Sequence, residues 1–377
     1  SYDLGDALMK ELAERIVQTV DKQGIVSRFT GDEFACLLTN VENVQEAVRF
    51  ANTLREVILK PITVFGHTFQ LTLSIGVSLC PLDADTAESL IQHANIAMYR
   101  AKEKGDQVQV FKTAMDVQVR QQILLENELR IALQNEDLSL HYQPQLDLAS
   151  GRLTTVEVLL RWEHPEAGNI SPAQFVPIAE ETGIIIPMGA WVLRQACRQG
   201  AKWLMEGFEI QVAVNLSLRQ FMEDDLVLRV KEALMESGLP PRLLELEVTE
   251  SLFIENPKRV IDVMHEICAM GVRFALDDYG MGYSSLSYLK KLPIEVLKLD
   301  RSFIQGLAND RYDQAIVKST ITLARHLGLE LVAEGVETQE QLQILKAWQC
   351  SRIQGYVITP PLSASEMTRF FRQSMFH

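Results

Sequence analysis

Two adjacent aspartates, Asp277 and Asp278, end an apolar run and lead into a glycine-rich turn in the stretch FALDDYGMGYSS at 274–285. Adjacent carboxylates repel, and burying either one without a partner is costly. Water, a basic side chain or a metal ion must neutralise them. The ends of seven apolar runs in the second half of the chain carry polar groups: Glu157, Asn215, Glu247, Asp277 with Asp278, Lys298, Glu334 with Glu337, and Gln354. If these ends converge, so many acids repel one another unless cations sit among them. Oxygen donors without Cys or His select a hard cation, Mg²⁺ or Mn²⁺, over zinc.

The same stretch begins like a dinucleotide fingerprint, since GMG follows an apolar run. Its third glycine position holds Ser285, however, and no Rossmann unit surrounds it. A lone GxG is weak evidence, and the acids before it would repel a pyrophosphate.

For these ends to converge, the runs must be parallel strands of one closed sheet. The segments LSLHYQPQ, TTVEVLLRW, IQVAVNLS, LLELEVTES, VRFALDDYG, VLKLDRSFI, LELVAEGVE and SRIQGYVIT are mostly separated by helix-length stretches. Near-continuous apolar strands alternating with helices predict an α/β fold, a TIM-type (β/α)8 barrel over 137–377. Such a barrel gathers the C-terminal ends of its strands into one ring, where active sites sit.

Residues 1–113 have a different rhythm. A helix over about 5–20, strands at IVSRF and FACLLT around the turn TGDE, and a helix over about 43–59 open the unit. Strands within ITVFGHTFQLTLSIGVSL, a helix over about 86–103 and the strand VQVF complete a smaller α+β domain. Residues 114–136 have helical periodicity and predict a connecting helix with Ile123, Leu124, Leu129 and Leu133 on its apolar side.

Composition sets the outer limits. With 377 residues, 47% hydrophobic and 23% charged, the chain can bury a large core. A formal charge of −14 argues against a nucleic-acid polymer as partner, though not against a phosphate ligand held through metal ions. Five scattered cysteines without a CxxC fit a reducing, cytoplasmic setting and argue against a disulfide framework and a thiolate zinc site. The longest apolar stretch, IIIPMGAWVL at 184–193, is too short to span a membrane. The chain begins without Met, inside a predicted helix, so we expect a fragment whose missing upstream parts could carry a membrane anchor.

The motifs EVLLRWEHP, NLS, ELEVTES, DDYGMGYSS, LKLD, EGVE and QGY, in this order, resemble those of EAL-domain cyclic di-GMP phosphodiesterases. The first 111 residues resemble a GGDEF (diguanylate cyclase) domain, with TGDEF in the signature position. The resemblance implies a homodimer formed through the barrel and a two-metal site hydrolysing cyclic di-GMP to linear pGpG. It implies Glu157, Asn215, Glu247 and Asp277 as ligands of one ion, with Asp277 shared by a second ion that Asp278 also holds. Lys298 and Glu334 would contact the attacking water, Glu334 as general base, and Gln354 would help hold the water shell. Arg161 would bind a substrate phosphate and Gln143 a guanine. Glu250, counted with the catalytic groups, and Glu337, counted with the metal shell, would brace the loop after Asp278. A non-catalytic cyclic di-GMP receptor is the alternative.

Several positions depart from the family's pattern, Tyr279 in place of Phe and Tyr2 in place of His among them. Val158 replaces Ala in the naming triplet, Met281 stands where Thr is usual, and Thr30 replaces the first signature glycine. With Thr30 obstructing nucleotide approach, and the first strand's metal-binding aspartate lying before the start, the first domain reads as regulatory or GTP-sensing, not as a cyclase.

Overall fold

The computed structural model describes residues 2–374 apart from 30, 104, 106, 136, 254–256, 281–288 and 290. The chain divides into two compact units, Ser1–Leu124 and Leu125–His377, the division falling inside the helix assigned above as a connector. Among the described residues no helix is long and apolar enough to cross a membrane.

The first unit runs α1 (Tyr2–Val20), β1 (Gly24–Arg28), β2 (Phe34–Leu38), α2 (Val44–Ile58), β3 (Ile62–Val64), β4 (His67–Phe69), β5 (Ile75–Val77), α3 (Ala87–Glu103) and β6 (Val108–Val110). β1 with β2 and β3 with β4 form antiparallel hairpins, while β5 and β6 pair in parallel. Leu12, Ile16 and Val20 of α1 bury against Leu54 and Ile58 of α2, with Val26, Phe34 and Cys36 of the first hairpin packed beside them. The Asn43 side chain starts α2 by accepting from the Glu46 amide at 3.0 Å. The signature turn between β1 and β2 leaves Asp32 and Glu33 exposed, and Thr30 lies outside the described residues.

Helix α4 (Thr113–Asn135) follows. Leu129 is fully buried, with Leu125, Ala132 and Leu133 in the same cluster. Leu124 is 57% exposed, which corrects the expectation that it shares their side. At about 100° per residue it lies roughly 140° around the helix from Leu129, whereas Leu125 lies only about 40° away.

The second unit contains the barrel. Its eight strands are β7 (Leu138–Asp147), β8 (Leu153–His164), β10 (Gln211–Asn215), β11 (Leu244–Thr249), β12 (Arg273–Tyr279), β13 (Val296–Leu299), β14 (Glu330–Ala333) and β15 (Arg352–Gln354). The ladder runs β7-β15-β14-β13-β12-β11-β10-β8 and is closed by pairing of β7 with β8. Short strands β9 (Gly168–Ile170) and β16 (Leu362–Ser363) pair onto β8 and β7. The alternating helices are α5 (Pro172–Thr182), α6 (Ile185–Met205), α7 (Leu218–Phe221), α8 (Leu226–Ser237), α9 (Pro257–Cys268), α10 (Arg301–Gln305), α11 (Arg311–Leu327), α12 (Gln339–Ala347) and α13 (Ala364–Ser374). Their apolar faces and the outward side chains of the strands form one large core, Val158, Val214, Leu246, Leu276 and Leu297 among its members.

One strand breaks the parallel pattern: β7 runs antiparallel to both β8 and β15. Only five residues, 148–152, join β7 to β8, too few for a crossover, which needs a dozen or more. They form a tight turn in which Asp147 Oδ1 accepts from the Ser150 amide at 2.7 Å and Gly151 has φ of 69°. The reversal places Gln143 directly opposite Glu157 in the ladder, and Gln145 opposite Thr155 one step below.

Candidate active site

The strands deliver four carboxylates to one lysine. Lys298 of β13 is 1% exposed, and its ammonium lies 2.7 Å from Glu247 Oε2 (β11) and 2.8 Å from Glu334 Oε1, just past β14. It also lies 3.2 Å from Asp277 Oδ2 (β12) and 3.7 Å from Glu157 Oε1 (β8). Alternation along each strand turns these side chains inward and their neighbours outward. Thus Val158, next to Glu157, packs into the core at 4% exposure, away from the ring.

The electrostatics are lopsided. With all four acids ionised, one ammonium leaves three negative charges uncompensated. Burial opposes charging Lys298, but Asp277, Glu157, Glu247 and Glu334 outweigh it and hold its pKa well above the usual lysine value. Burial pushes Glu334 up to about 8, with Asp277 and Glu157 adding to the shift and Lys298 only partly offsetting it. Burial also raises Asp278, reinforced by the charges of Asp277 and Asp300. Glu157 goes the other way. Burial would raise it, but Lys298 and hydrogen bonds from Gln354 and Asn215 hold it below the usual carboxylate range.

Asp277, Asp278 and Glu334 each offer a carboxylate oxygen, all within 4.8 Å of one another. Glu247 Oε1 is buried with no hydrogen-bond partner among the described residues. Clustered oxygen donors with surplus negative charge fit a hard divalent cation. Asp278 is held at φ of 54°, uncommon for a residue with a side chain, with its amide donating to Asp277 Oδ1 at 2.9 Å.

Asn215 is exposed at the end of β10 and donates to Glu157 Oε1 at 2.9 Å. The Gln354 amide nitrogen donates to Glu157 Oε2 and to Gln143 Oε1. Arg161 is partly buried and donates to the Leu160 carbonyl at 2.9 Å; burial lowers its pKa, opposed by the charge of Glu157. Glu250 Oε1 accepts from the Gly280 amide at 3.1 Å, immediately after the aspartate pair. Glu337 is exposed and stands outside the three-carboxylate cluster; its amide donates to Gln341 Oε1 at 2.8 Å. Met281 and Ser285 lie outside the described residues.

Two features escaped the reading of strand ends. Asp300 accepts from the Ser302 amide at 2.9 Å to start α10, and its charge reaches Asp278. Its place two residues after Lys298 in LKLD was the available cue. Below the ring lies a buried polar layer of Gln145, Thr155, Glu245 and Arg352. It follows from strand alternation, since Glu245 precedes Glu247 by two residues and Arg352 precedes Gln354 by two.

Gly280 is required by geometry. Its φ is 101°, and a Cβ there would lie 2.9 Å from the Phe303 ring. Gly280→Ala should cost about 1–3 kcal/mol, the scale of a strained backbone position, in urea denaturation. Unchanged stability would show that the turn after Asp278 relaxes freely.

Residues 126–361 match the family model described as EAL domain, and residues 2–107 match that described as Diguanylate cyclase, GGDEF domain. The chain is 42% identical over 368 residues to the Pseudomonas aeruginosa protein named bifunctional diguanylate cyclase/cyclic di-GMP phosphodiesterase MucR, covering 97% of this chain and 54% of MucR. It is 39% identical over 377 residues to the same organism's cyclic di-GMP phosphodiesterase NbdA, covering 100% of this chain and 48% of NbdA. The chain thus spans about half the length of these curated relatives. The solved structure titled PaMucR Phosphodiesterase, c-di-GMP complex superposes with a TM-score of 0.63 at 46% identity, covering 65% of this chain and 99% of that one. With its family match extending over most of its length, and a GGDEF domain ahead of the barrel, the chain belongs to the EAL domain family.

Proposed function

We propose that the barrel hydrolyses cyclic di-GMP to linear pGpG with Mg²⁺ or Mn²⁺, and that the GGDEF domain is regulatory. The observation that supports this most is the full set of oxygen donors gathered at one end of the barrel around Lys298. Similarity to a phosphodiesterase whose solved structure is titled a c-di-GMP complex supports the substrate.

Glu157, Asn215, Glu247, Asp277 and Asp278 would hold two ions, with Glu334 beside Asp277 and Asp278. Bound there, divalent ions would lower the pKa of a water and neutralise charge developing on the phosphodiester. The chain's own groups do the rest. Lys298 holds Glu334 through Oε1 at 2.8 Å and fixes its orientation. Held there beside Asp277 and Asp278, Glu334 is placed to exchange a proton with a water. Arg161 offers a charge-assisted hydrogen bond to a substrate phosphate. Glu250 pins the turn after Asp278 through the Gly280 amide.

Incubation with cyclic di-GMP and Mg²⁺ or Mn²⁺ should accumulate pGpG on chromatography and stop with a chelator. Calcium should inhibit, because its longer and looser coordination misplaces the reacting groups. Tight binding with no product would replace hydrolysis with the receptor reading. GTP should not be converted to cyclic di-GMP, because Thr30 stands where the family's pattern has its first signature glycine, and an added upstream segment should not restore conversion. MucR, whose name carries both activities, is the parallel control; cyclic product from this chain would overturn the regulatory assignment.

A further inference from the structure

The buried layer beneath the ring carries hydrogen bonds that can run in only one direction. Arg352, 2% exposed, has donors and no acceptor, and its Nη1 donates to Gln145 Oε1 at 3.0 Å and to Thr155 Oγ1 at 2.8 Å. With its oxygen engaged, fully buried Gln145 donates through Nε2 to Gln354 Oε1 at 3.0 Å. The Gln354 nitrogen must then face the ring, where it meets Glu157 Oε2 and, at 3.0 Å, Gln143 Oε1. Gln143 in turn directs its nitrogen at the Thr359 carbonyl, 3.4 Å away.

Which end of an amide is nitrogen is ordinarily an assignment made from its hydrogen-bond network. Here the ends of the chain of bonds impose it. A guanidinium can only donate, and a carboxylate and a backbone carbonyl can only accept. Arg352 is itself anchored by an ion pair with Glu330, which also binds Arg273 at 2.9 Å, and Arg273 binds Glu295 at 2.7 Å. The connected series therefore runs from the exposed Glu295 to Glu157 in the ring.

We propose that Arg352 and Gln145 are positioning residues that, through Gln354, fix the Gln143 amide with its oxygen inward, leaving an N–H as what it offers to a substrate base. A base meeting that N–H needs an acceptor. Guanine presents O6 and N7 there, whereas adenine replaces the O6 acceptor with the N6 amino donor. The same polarity supplies Glu157 with a donor from Gln354. The inference rests on the cyclic di-GMP reading and deepens it, because it assigns the choice of purine to residues that touch no ligand.

Gln145→Glu tests it nearly isosterically. Beside Arg352 the new carboxylate stays ionised and can only accept, so Gln354 and then Gln143 must flip. Calorimetry in EDTA with cyclic di-GMP and cyclic di-AMP reads base preference without turnover. Wild type should prefer the guanine dinucleotide; Gln145→Glu should lower the affinity ratio at least tenfold with a native circular dichroism spectrum. Its kcat with Mg²⁺ should also fall at least tenfold, because a carbonyl now opposes Glu157. A native fold with an unchanged ratio would overturn the proposal, while a wild type without base preference would instead sink the cyclic di-GMP reading. If Gln145→Glu does not fold, Arg352→Lys, which still donates, should keep the ratio and Arg352→Met should lose it. Equal ratios in those two variants would likewise overturn the proposal.

Discussion

Replacing Glu157 with alanine should lower kcat by at least about 10²–10³-fold, the scale of losing one group that stabilises a transition state. That corresponds to roughly 3–4 kcal/mol of activation free energy. Glu157 is held ionised, because Lys298, Gln354 and Asn215 all favour its charge against the effect of burial. In the proposed mechanism removing it takes away a metal-binding oxygen, and it leaves the Gln354 and Asn215 amides without their shared acceptor. Arg161 and Gln143 remain, so affinity for the dinucleotide should survive in weakened form. Arg161→Ala should act differently, raising KM through the loss of a charge-assisted phosphate contact. Rates measured at saturating metal separate weakened ion affinity from lost chemistry. A Glu157→Ala enzyme within tenfold of wild type would show that the first ion is held without it.

Lys298→Met should be the most damaging substitution for stability. The methionine approximates the volume, but four carboxylates would then face one another with no cation among them. Removing one partner of a buried ion pair typically costs about 3–5 kcal/mol, chiefly because the remaining charge is left uncompensated. Urea denaturation in EDTA should show a loss of that size, and millimolar Mg²⁺ or Mn²⁺ should restore part of it through binding to the folded state. A loss under about 1 kcal/mol in EDTA would mean that the acids shed their charge by taking up protons without cost.

The ring was legible in the sequence because an acid at the end of an apolar strand breaks the composition that burial demands. Glu157, Glu247 and Asp277 stand out against Val, Ile and Leu, and the structure brings all three within 4 Å of Lys298. Strand direction was harder to read. The residues of β7 look like those of its neighbours, and only the short turn at 147–152 reveals that it runs backwards. The layer around Arg352 was hidden for another reason. Gln145 and Thr155 lie within their strands and Arg352 opens β15, none of them at a C-terminal strand end, and only three-dimensional pairing shows that they satisfy one another. Leu124 was misread because adjacent apolar residues on a helix point about 100° apart.

Hydrolysis in H₂¹⁸O tests the central claim most directly. Attack of water at phosphorus breaks the P–O3′ bond, so pGpG formed with Mg²⁺ or Mn²⁺ should carry one ¹⁸O in its terminal 5′-phosphate by mass spectrometry, and none should form in EDTA. Recovery of only intact, unlabelled cyclic di-GMP after prolonged incubation with metal, under conditions where calorimetry shows it bound, would contradict catalysis by this barrel and leave it a receptor.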